Sequence, residues 1–185
     1  MLLFLSLTNI RAVPSIQFKL RPFRADDLSN LVKHANNGNI ANNLTDQFPH
    51  PYTLEHGRAF IATAMSSHPA NIMAIDVAGE VVGAIGIHPQ NDIQRLNAEM
   101  GYWLAEHLWG KGMMTEAIRR MVNYAFENFA IDRIFARPFG SNLASQKVLE
   151  KAGFTQEARF SKTLIKNGEK QDELYYAIRR SEESA

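Results

Sequence analysis

The chain has 185 residues, 45% of them hydrophobic and 21% charged, so one domain can bury a core without disulfides or a structural metal. Its net charge of +1 comes from 20 basic and 19 acidic residues, which argues against nucleic-acid binding through overall charge. The sequence contains no cysteine, which removes disulfides, thiolate metal sites and cysteine nucleophiles. This composition fits a reducing compartment, by default the cytoplasm.

The N-terminal segment is apolar but has the features of neither a signal peptide nor a membrane span. Residues 1–8 lack a basic start and are too few to cross a bilayer. We therefore expect residues 1–14 to be a disordered extension that can be deleted without loss of folding or activity. Residues 15–180 are predicted to form one domain, and residues 181–185 a polar tail. No contact with a membrane is expected.

The first half of the domain is predicted to alternate strands, helices and one long loop. Strands are recognised by β-branched runs and helices by apolar residues recurring every three to four positions. The loop is recognised by its asparagine, glycine and proline content. In chain order, these elements are a strand at 16–20, a helix whose first turn includes residues 24–27 and that runs to about 34, and a loop at 36–52 with one short helical turn. A helix to about 66 and a hairpin of strands 71–77 and 81–87 follow.

The second half contains the strongest helix pattern in the sequence, an apolar stripe from Met114 to Phe126. Gly153 suits the left-handed position that follows a helix, and Asn167-Gly168 is a type I′ turn pair. In chain order, the elements are a strand at 97–104, a helix at 114–126, a strand at 134–136, a helix at 145–152, and a hairpin of strands 160–165 and 174–178. A mixed α/β fold with a partly antiparallel sheet is the prediction.

The stretch from Trp109 to Ala117 is the most informative part of the sequence, because glycines there open directly into the strong helix. Glycines let the backbone approach a ligand closely, and the unpaired N–H groups of a helix N-terminus stabilise phosphate charge. Gly110-Lys111-Gly112 alone fits an ordinary turn equally well. It is neither a Walker A loop nor a full Rossmann fingerprint.

A second block, Asn142-x-x-Ser145 with Lys151-Ala-Gly-Phe154, follows the next strand. Together with Ala98-Glu99-Met-Gly101-Tyr102-Trp103-Leu104, Trp109-Gly-Lys-Gly112 and Thr115-Glu116-Ala117, it resembles the GNAT superfamily of N-acetyltransferases. Within that superfamily, it is similar to the branch of ribosomal-protein N-terminal (alanine or serine) acetyltransferases. The resemblance runs from about residue 18 to 178. It implies a central mixed, mostly antiparallel sheet that is splayed in the middle, with helices on both faces.

The resemblance also implies acetyl-CoA as co-substrate, without a metal, in a V-shaped gap between the strands at 99–104 and 134–136. His107 stands where the family often has glutamine or arginine. Asn142 matches a family asparagine near the pantetheine, and a helix N-cap is an equally good reading of it. The implied cofactor-binding residues are Trp103, Leu104, His107, Gly110, Lys111, Gly112, Met113, Met114, Thr115, Asn142 and Ser145.

Glu99 is the candidate catalytic base. Strand alternation places its carboxylate on one face with Gly101 and Trp103, and partial burial would favour proton acceptance. The alternative is a structural salt bridge to Arg95 or Arg137, and His88 is a weaker rival base.

Ser145 is the second candidate catalytic residue, as a hydrogen-bond donor to the leaving sulfur. Many family members place a tyrosine seven residues after the asparagine as general acid, but that position is Leu149 here. A thiol with a pKa near ~8.5 needs little help to leave. A small residue facing the sheet is an equally plausible role for Ser145. A backbone N–H near Trp103 or Leu104 would stabilise the oxyanion.

The resemblance implies transfer of an acetyl group from acetyl-CoA to a primary amine, such as a protein N-terminal α-amine, by direct attack in a ternary complex. One alternative is a non-catalytic acyl-CoA-binding or regulatory module. Another is an acetyltransferase for a small amine such as a polyamine or an aminoglycoside. The six histidines show no metal-binding spacing, and both a monomer and a homodimer remain open.

Overall fold

A computed structural model describes residues 16–180 of the chain. The predictions for residues 1–14 and for the tail at 181–185 lie outside the described residues. The strands are β1 (Lys19–Pro22), β2 (Ile72–Val77), β3 (Glu80–Pro89), β4 (Asn97–Leu104), β5 (Arg133–Ala136), β6 (Thr155–Lys166) and β7 (Glu169–Arg179). The helices are α1 (Leu28–Ala35), α2 (Gly38–Ala41), α3 (Leu54–Ala64), α4 (Met113–Asn128) and α5 (Leu143–Lys151).

The strands form one seven-stranded sheet in the order β1-β2-β3-β4-β5-β7-β6. Every neighbouring pair is antiparallel except β4 and β5, which are parallel. The parallel pair arises because α4 carries the chain from the end of β4 back to the start of β5, as a β-α-β crossover must. The predicted mixed, mostly antiparallel sheet is confirmed.

Helices cover both faces of the sheet, as predicted. On one face, Ile118 and Met121 of α4 and Leu149 of α5 pack with Ala98 and Met100 of β4. On the other face, Leu31 of α1 and Ile61 of α3 pack with Trp103. Successive β4 side chains therefore enter different cores, which fixes the register of this strand because a one-residue slip would exchange the two sets.

The strands at the two edges of the sheet differ from their predicted bounds. The first strand is Lys19–Pro22 rather than 16–20, because pairing with β2 sets it, with Leu20 opposite Ile75. The terminal hairpin is longer than its apolar runs, since β6 is an edge strand whose exposed face is mostly polar. Asn167 and Gly168, at φ 52° and 80°, form its turn with the positive φ that type I′ requires.

The central feature of the sheet is an opening between β4 and β5. The two strands pair only from Asn97 opposite Arg133 to Glu99 opposite Phe135. On its other side, β4 stays paired with β3 from Ala98 as far as Leu104. Residues 100–104 therefore have a free side where β5 has turned away, and this is the predicted splay.

Candidate functional site

Along residues 100–104, the backbone N–H and C=O groups point alternately toward β3 and toward the gap. The Ala105 amide donates to the Val82 carbonyl at 2.7 Å, and peptide groups alternate in direction along a strand. The N–H and C=O groups of Gly101 and Trp103 therefore also face β3, while the N–H and C=O groups of Tyr102 and Leu104 face the gap. Of the two positions considered for the oxyanion donor, alternation favours the N–H of Leu104 over that of Trp103.

The glycine loop lies beyond the end of β4 and leads into α4. Gly110 has φ 72° and Gly112, the N-cap of α4, has φ 77° without a side-chain cap. A Cβ added at either glycine would meet nothing within 4 Å, so open space lies above this backbone. These glycines are required by their positive φ and leave room for a ligand to approach.

The first turn of α4 presents free backbone donors. Its first backbone hydrogen bond runs from the Glu116 amide to the Gly112 carbonyl at 3.3 Å. The N–H groups of Met113, Met114 and Thr115 precede that bond and have no partner within the helix. Their side chains are buried in the core, so these three residues can serve a ligand only through their backbone. Lys111 is exposed beside them.

His107 lies in the short helical turn at Glu106–Leu108, just before the glycine loop. Its ring is exposed, and its centroid is 5.5 Å from that of His34 in α1. Together with Asn37 and Glu106, these histidines line an open depression of about 430 Å³. The structure gives His107 a neighbour that sequence analysis did not anticipate, and its role toward the cofactor stays a prediction.

Glu99 is held by an arginine at the point where β4 and β5 separate. Arg137 donates from Nε to Oε1 and from Nη2 to Oε2 of Glu99, both at 2.9 Å, and from Nη1 to Glu173 at 3.1 Å. The hydrogen bond to Glu99 raises the pKa of Arg137 further above its ordinary value, so the arginine stays charged. Of the two salt-bridge partners considered for Glu99, Arg95 and Arg137, the one that pairs with it in the structure is Arg137. The role of Glu99 as a base stays a prediction.

His88 lies directly opposite Glu99 on β3. Burial lowers the pKa of His88, and the charge of Glu99 opposes this only in part. The imidazole is therefore neutral near pH 7 and able to accept a proton.

Asn142 and Ser145 meet at the start of α5. The Asn142 side-chain oxygen accepts a hydrogen bond from the Ser145 amide at 3.0 Å, so Asn142 is the N-cap of the helix. The Ser145 hydroxyl lies 2.7 Å from the hydroxyl of Tyr102. Leu149, which occupies the position of the usual family tyrosine, is fully buried in the core.

Tyr102 is the site residue that sequence analysis missed. It was recognised within the strand motif, but nothing in that pattern shows that its hydroxyl reaches a helix 43 residues later. Burial raises the pKa of Tyr102 to about 12, so the phenol keeps its proton at physiological pH. Between residues 16 and 180, no three histidine, aspartate or glutamate side chains are grouped to hold a metal ion. No helix in that range has the length and apolar surface that a membrane crossing requires.

Comparison with known proteins places these features in a family. Residues 17–155 match the family model described as an acetyltransferase (GNAT) domain. Among curated proteins, the chain is 35% identical over 104 residues to a Bacillus subtilis protein named "Putative ribosomal N-acetyltransferase YdaF", covering 56% of each chain. The matched segments span about half the length of the curated relatives.

Solved structures share the fold over nearly the whole length. The ribosomal-protein-S5-alanine acetyltransferase of Vibrio fischeri has a TM-score of 0.75 at 20% identity, covering 89% of this chain and 94% of that one. The spermidine N-acetyltransferase of Vibrio cholerae, solved with CoA and spermine, has a TM-score of 0.74 at 22% identity, covering 91% and 99%. At this level of identity, the likeness concerns the fold.

Proposed function

We propose that this chain, which belongs to the GNAT acetyltransferase family, is an N-acetyltransferase that transfers an acetyl group from acetyl-CoA to a primary amine. One observation carries the proposal: residues 100–104 of β4 have a free side, and the chain passes from the end of this strand through the glycine loop to the unpaired amides that begin α4. A thioester can enter a gap lined by backbone donors while its phosphates bind a helix N-terminus.

The glycine loop and the gap would each bind a different part of acetyl-CoA. The backbone N–H groups from Gly110 to Thr115 would bind the pyrophosphate, and Lys111 adds a positive charge beside them. The Leu104 N–H would donate to the thioester oxygen. The Leu104 carbonyl, which belongs to the next peptide group, accepts a hydrogen bond from the Trp109 indole N–H at 2.7 Å, and this bond ties the end of β4 to the start of the glycine loop. Asn142 can cap α5 with its oxygen and still offer its amide N–H groups to the pantetheine.

The reaction is direct attack of the amine on the thioester carbonyl. The amine nitrogen forms the new bond to carbon, the C–S bond breaks, and its electron pair stays on sulfur. Glu99 accepts the proton that the amine loses, directly or through a water, and Ser145 donates a hydrogen bond to the sulfur. An α-amine, with a pKa of about 8, is partly neutral near pH 7, whereas a lysine side chain with a pKa of about 10.4 is not.

We propose a protein N-terminal α-amine as the acceptor. The Bacillus subtilis and Vibrio fischeri relatives, whose names refer to ribosomal proteins, support this class. Aromatic side chains also lie beside Arg137: Tyr175 stacks on Phe135 with ring centroids 5.9 Å apart, and Phe160, 46% exposed, meets Tyr175 edge-on. These rings offer a wall for the first side chains of a peptide. We place the reaction in the cytoplasm, which a chain without cysteine fits.

The proposal is tested by measuring acetyl-CoA binding first and acetylation of several amines second. Calorimetry with acetyl-CoA should show saturable binding, and thiol release should then be measured with peptides beginning in serine or alanine, with spermidine and with an aminoglycoside. Turnover on the peptides alone supports the whole proposal. Turnover on spermidine or the aminoglycoside instead overturns the acceptor class, and saturable binding without turnover on any amine favours the non-catalytic binding module.

A further inference from the structure

Two hydroxyl groups join β4 to α5 beside the gap. Tyr102 lies beyond the last pairing of β4 with β5, and Ser145 lies in the first turn of α5. Their oxygens are 2.7 Å apart, which is a good O–H···O distance. The Asn142 cap on the Ser145 amide, at 3.0 Å, holds this turn in place. The two hydroxyls therefore meet between elements that are each fixed independently.

The hydrogen bond between them has a preferred direction. A phenol is a stronger acid than an aliphatic alcohol and so is the better donor. Within residues 16–180, the Tyr102 hydroxyl makes no other hydrogen bond, and a sheltered O–H without an acceptor is unfavourable. Burial raises the pKa of Tyr102 to about 12, so the proton remains on its oxygen. Tyr102 therefore donates to Ser145.

That direction leaves the hydrogen of Ser145 free for another acceptor. A hydroxyl has one hydrogen to donate and two lone pairs to accept with. When Tyr102 occupies one lone pair, the serine O–H must turn toward a different partner. A hydroxyl that accepts one hydrogen bond also donates a stronger one.

We propose that Tyr102 is a positioning residue that orients the Ser145 hydroxyl toward the sulfur of coenzyme A. The proposal rests on the proposed function, because it requires the coenzyme in the gap. The Ser145 O–H donates to the sulfur as the C–S bond breaks, and no proton leaves either hydroxyl. The electron pair stays on sulfur as a thiolate, which later takes a proton from solvent. Leu149, which is buried where many family members have a tyrosine, then does not need to act on the sulfur, because the hydroxyl pair at 102 and 145 stabilises the thiolate.

The thiol pKa of bound coenzyme A tests this without an acceptor. A donor aimed at sulfur stabilises the thiolate and lowers the thiol pKa. The difference in short-wavelength ultraviolet absorbance between thiolate and thiol, followed against pH, measures this pKa on the saturated complex of the full chain. Ser145→Ala should raise the bound thiol pKa by about one unit, as loss of a hydrogen bond to a charged group implies. Tyr102→Phe should raise it by ~0.3 unit or more, through loss of cooperativity and orientation.

The double variant separates positioning from packing. If Tyr102 acts only through Ser145, then Tyr102→Phe in the Ser145→Ala background should leave the thiol pKa where Ser145→Ala alone puts it. Tyr124→Phe is the matched control, since Tyr124 is a partly buried tyrosine of α4 whose ring packs on Phe129. It should leave the thiol pKa at the wild-type value.

Each result decides between the two proposals. A wild-type chain that binds no coenzyme A overturns the proposed function and this inference with it. Normal binding with the same thiol pKa in wild type and Tyr102→Phe overturns this inference alone. If Tyr102→Phe does not fold, the ¹³Cζ resonance of Tyr102 in tyrosine-labelled protein replaces it. That resonance should shift on coenzyme binding in wild type but not in Ser145→Ala, and no shift in wild type counts against the inference.

Discussion

Arg137 holds both carboxylate oxygens of Glu99, each at 2.9 Å, at the last position where β4 pairs with β5. Two parallel N–H···O bonds fix the plane of a carboxylate as well as its distance. The two bonds therefore also set the directions of the carboxylate lone pairs that remain unoccupied. The Glu99 side chain is 29% exposed. This geometry suits an oriented proton acceptor and an ion pair alike, and only turnover separates the two.

Glu99→Gln should lower the acetylation rate by about 10²-fold or more while leaving acetyl-CoA affinity within a few-fold of wild type, because the amide keeps the shape but cannot accept the proton. The loss should be smaller for acceptors of lower pKa. Glu157→Gln is the control, since Glu157 is also ion-paired but with Arg133 and Arg179 rather than with Arg137. Equal turnover in the Glu99 and Glu157 variants would remove Glu99 from the mechanism and leave His88 for testing.

Gly112→Val should weaken acetyl-CoA binding by about tenfold or more, because a β-branched residue does not tolerate φ 77° and its side chain would occupy the open space above the loop. Calorimetry measures the affinity. Gly79→Val is matched to it, since Gly79 also has a positive φ, 91°, and nothing within 4 Å of an added Cβ. It should lose stability but not affinity. Equal affinity in the wild type and a folded Gly112→Val protein would place the phosphates elsewhere.

Gly83→Ala should destabilise the protein by about 1–3 kcal/mol, as overpacking does. An added Cβ would stand 2.5 Å from the Trp103 carbonyl oxygen and 3.2 Å from the Leu104 Cα, so β3 and β4 would have to separate. Because Leu104 borders the gap, acetyl-CoA affinity should fall too. Denaturant unfolding compares it with Gly101→Ala, where an added Cβ meets nothing within 4 Å. If Gly83→Ala and Gly101→Ala unfold with equal free energies, β3 can move away from β4 without loss of stability, which would contradict the prediction.

Asp27→Asn should cost about 3 kcal/mol at neutral pH, because it leaves Arg21 short of a partner in a buried ion pair. Asp27 is 2% exposed and bonds Arg21 at 2.7 and 2.8 Å. Burial alone would raise the pKa of Asp27, but the hydrogen bonds from Arg21 and from the Arg24 amide outweigh it and hold the pKa below its ordinary value. The stabilisation is therefore complete above the unfolded pKa of about 4 and is lost as the pH falls through the folded value.

Urea unfolding between neutral and strongly acidic pH checks this sign. The difference in stability between wild type and Asp27→Asn should shrink as the pH drops below about 4. Asp26→Asn is the control, since its side chain is 76% exposed and such changes stay within about 0.5 kcal/mol. A difference that is constant with pH would mean that the carboxylate charge of Asp27 is not what stabilises the fold.

The sequence alone determined the order of the elements, the fold class and the position of the glycine loop. These depend on local properties: apolar periodicity defined α4, β-branched runs defined β2 to β4, and the positive φ at Gly112 and Gly168 follows from residue type. Motif order then gave the family. Strand ends were less well predicted at the sheet edges, where pairing with a neighbour rather than the strand's own pattern sets the bounds of β1 and β6.

Only the tertiary structure decided which side chains meet. Glu99 pairs with Arg137 rather than with Arg95 because of where β5 ends relative to β4. Strand alternation shows which face a side chain is on but not where a neighbouring strand ends. The meeting of Tyr102 with Ser145, and the orientation of Leu104 rather than Trp103 toward the gap, depend on the point at which two strands separate. Such contacts join residues far apart in the chain, and their distances are fixed by packing of the two cores rather than by any local preference.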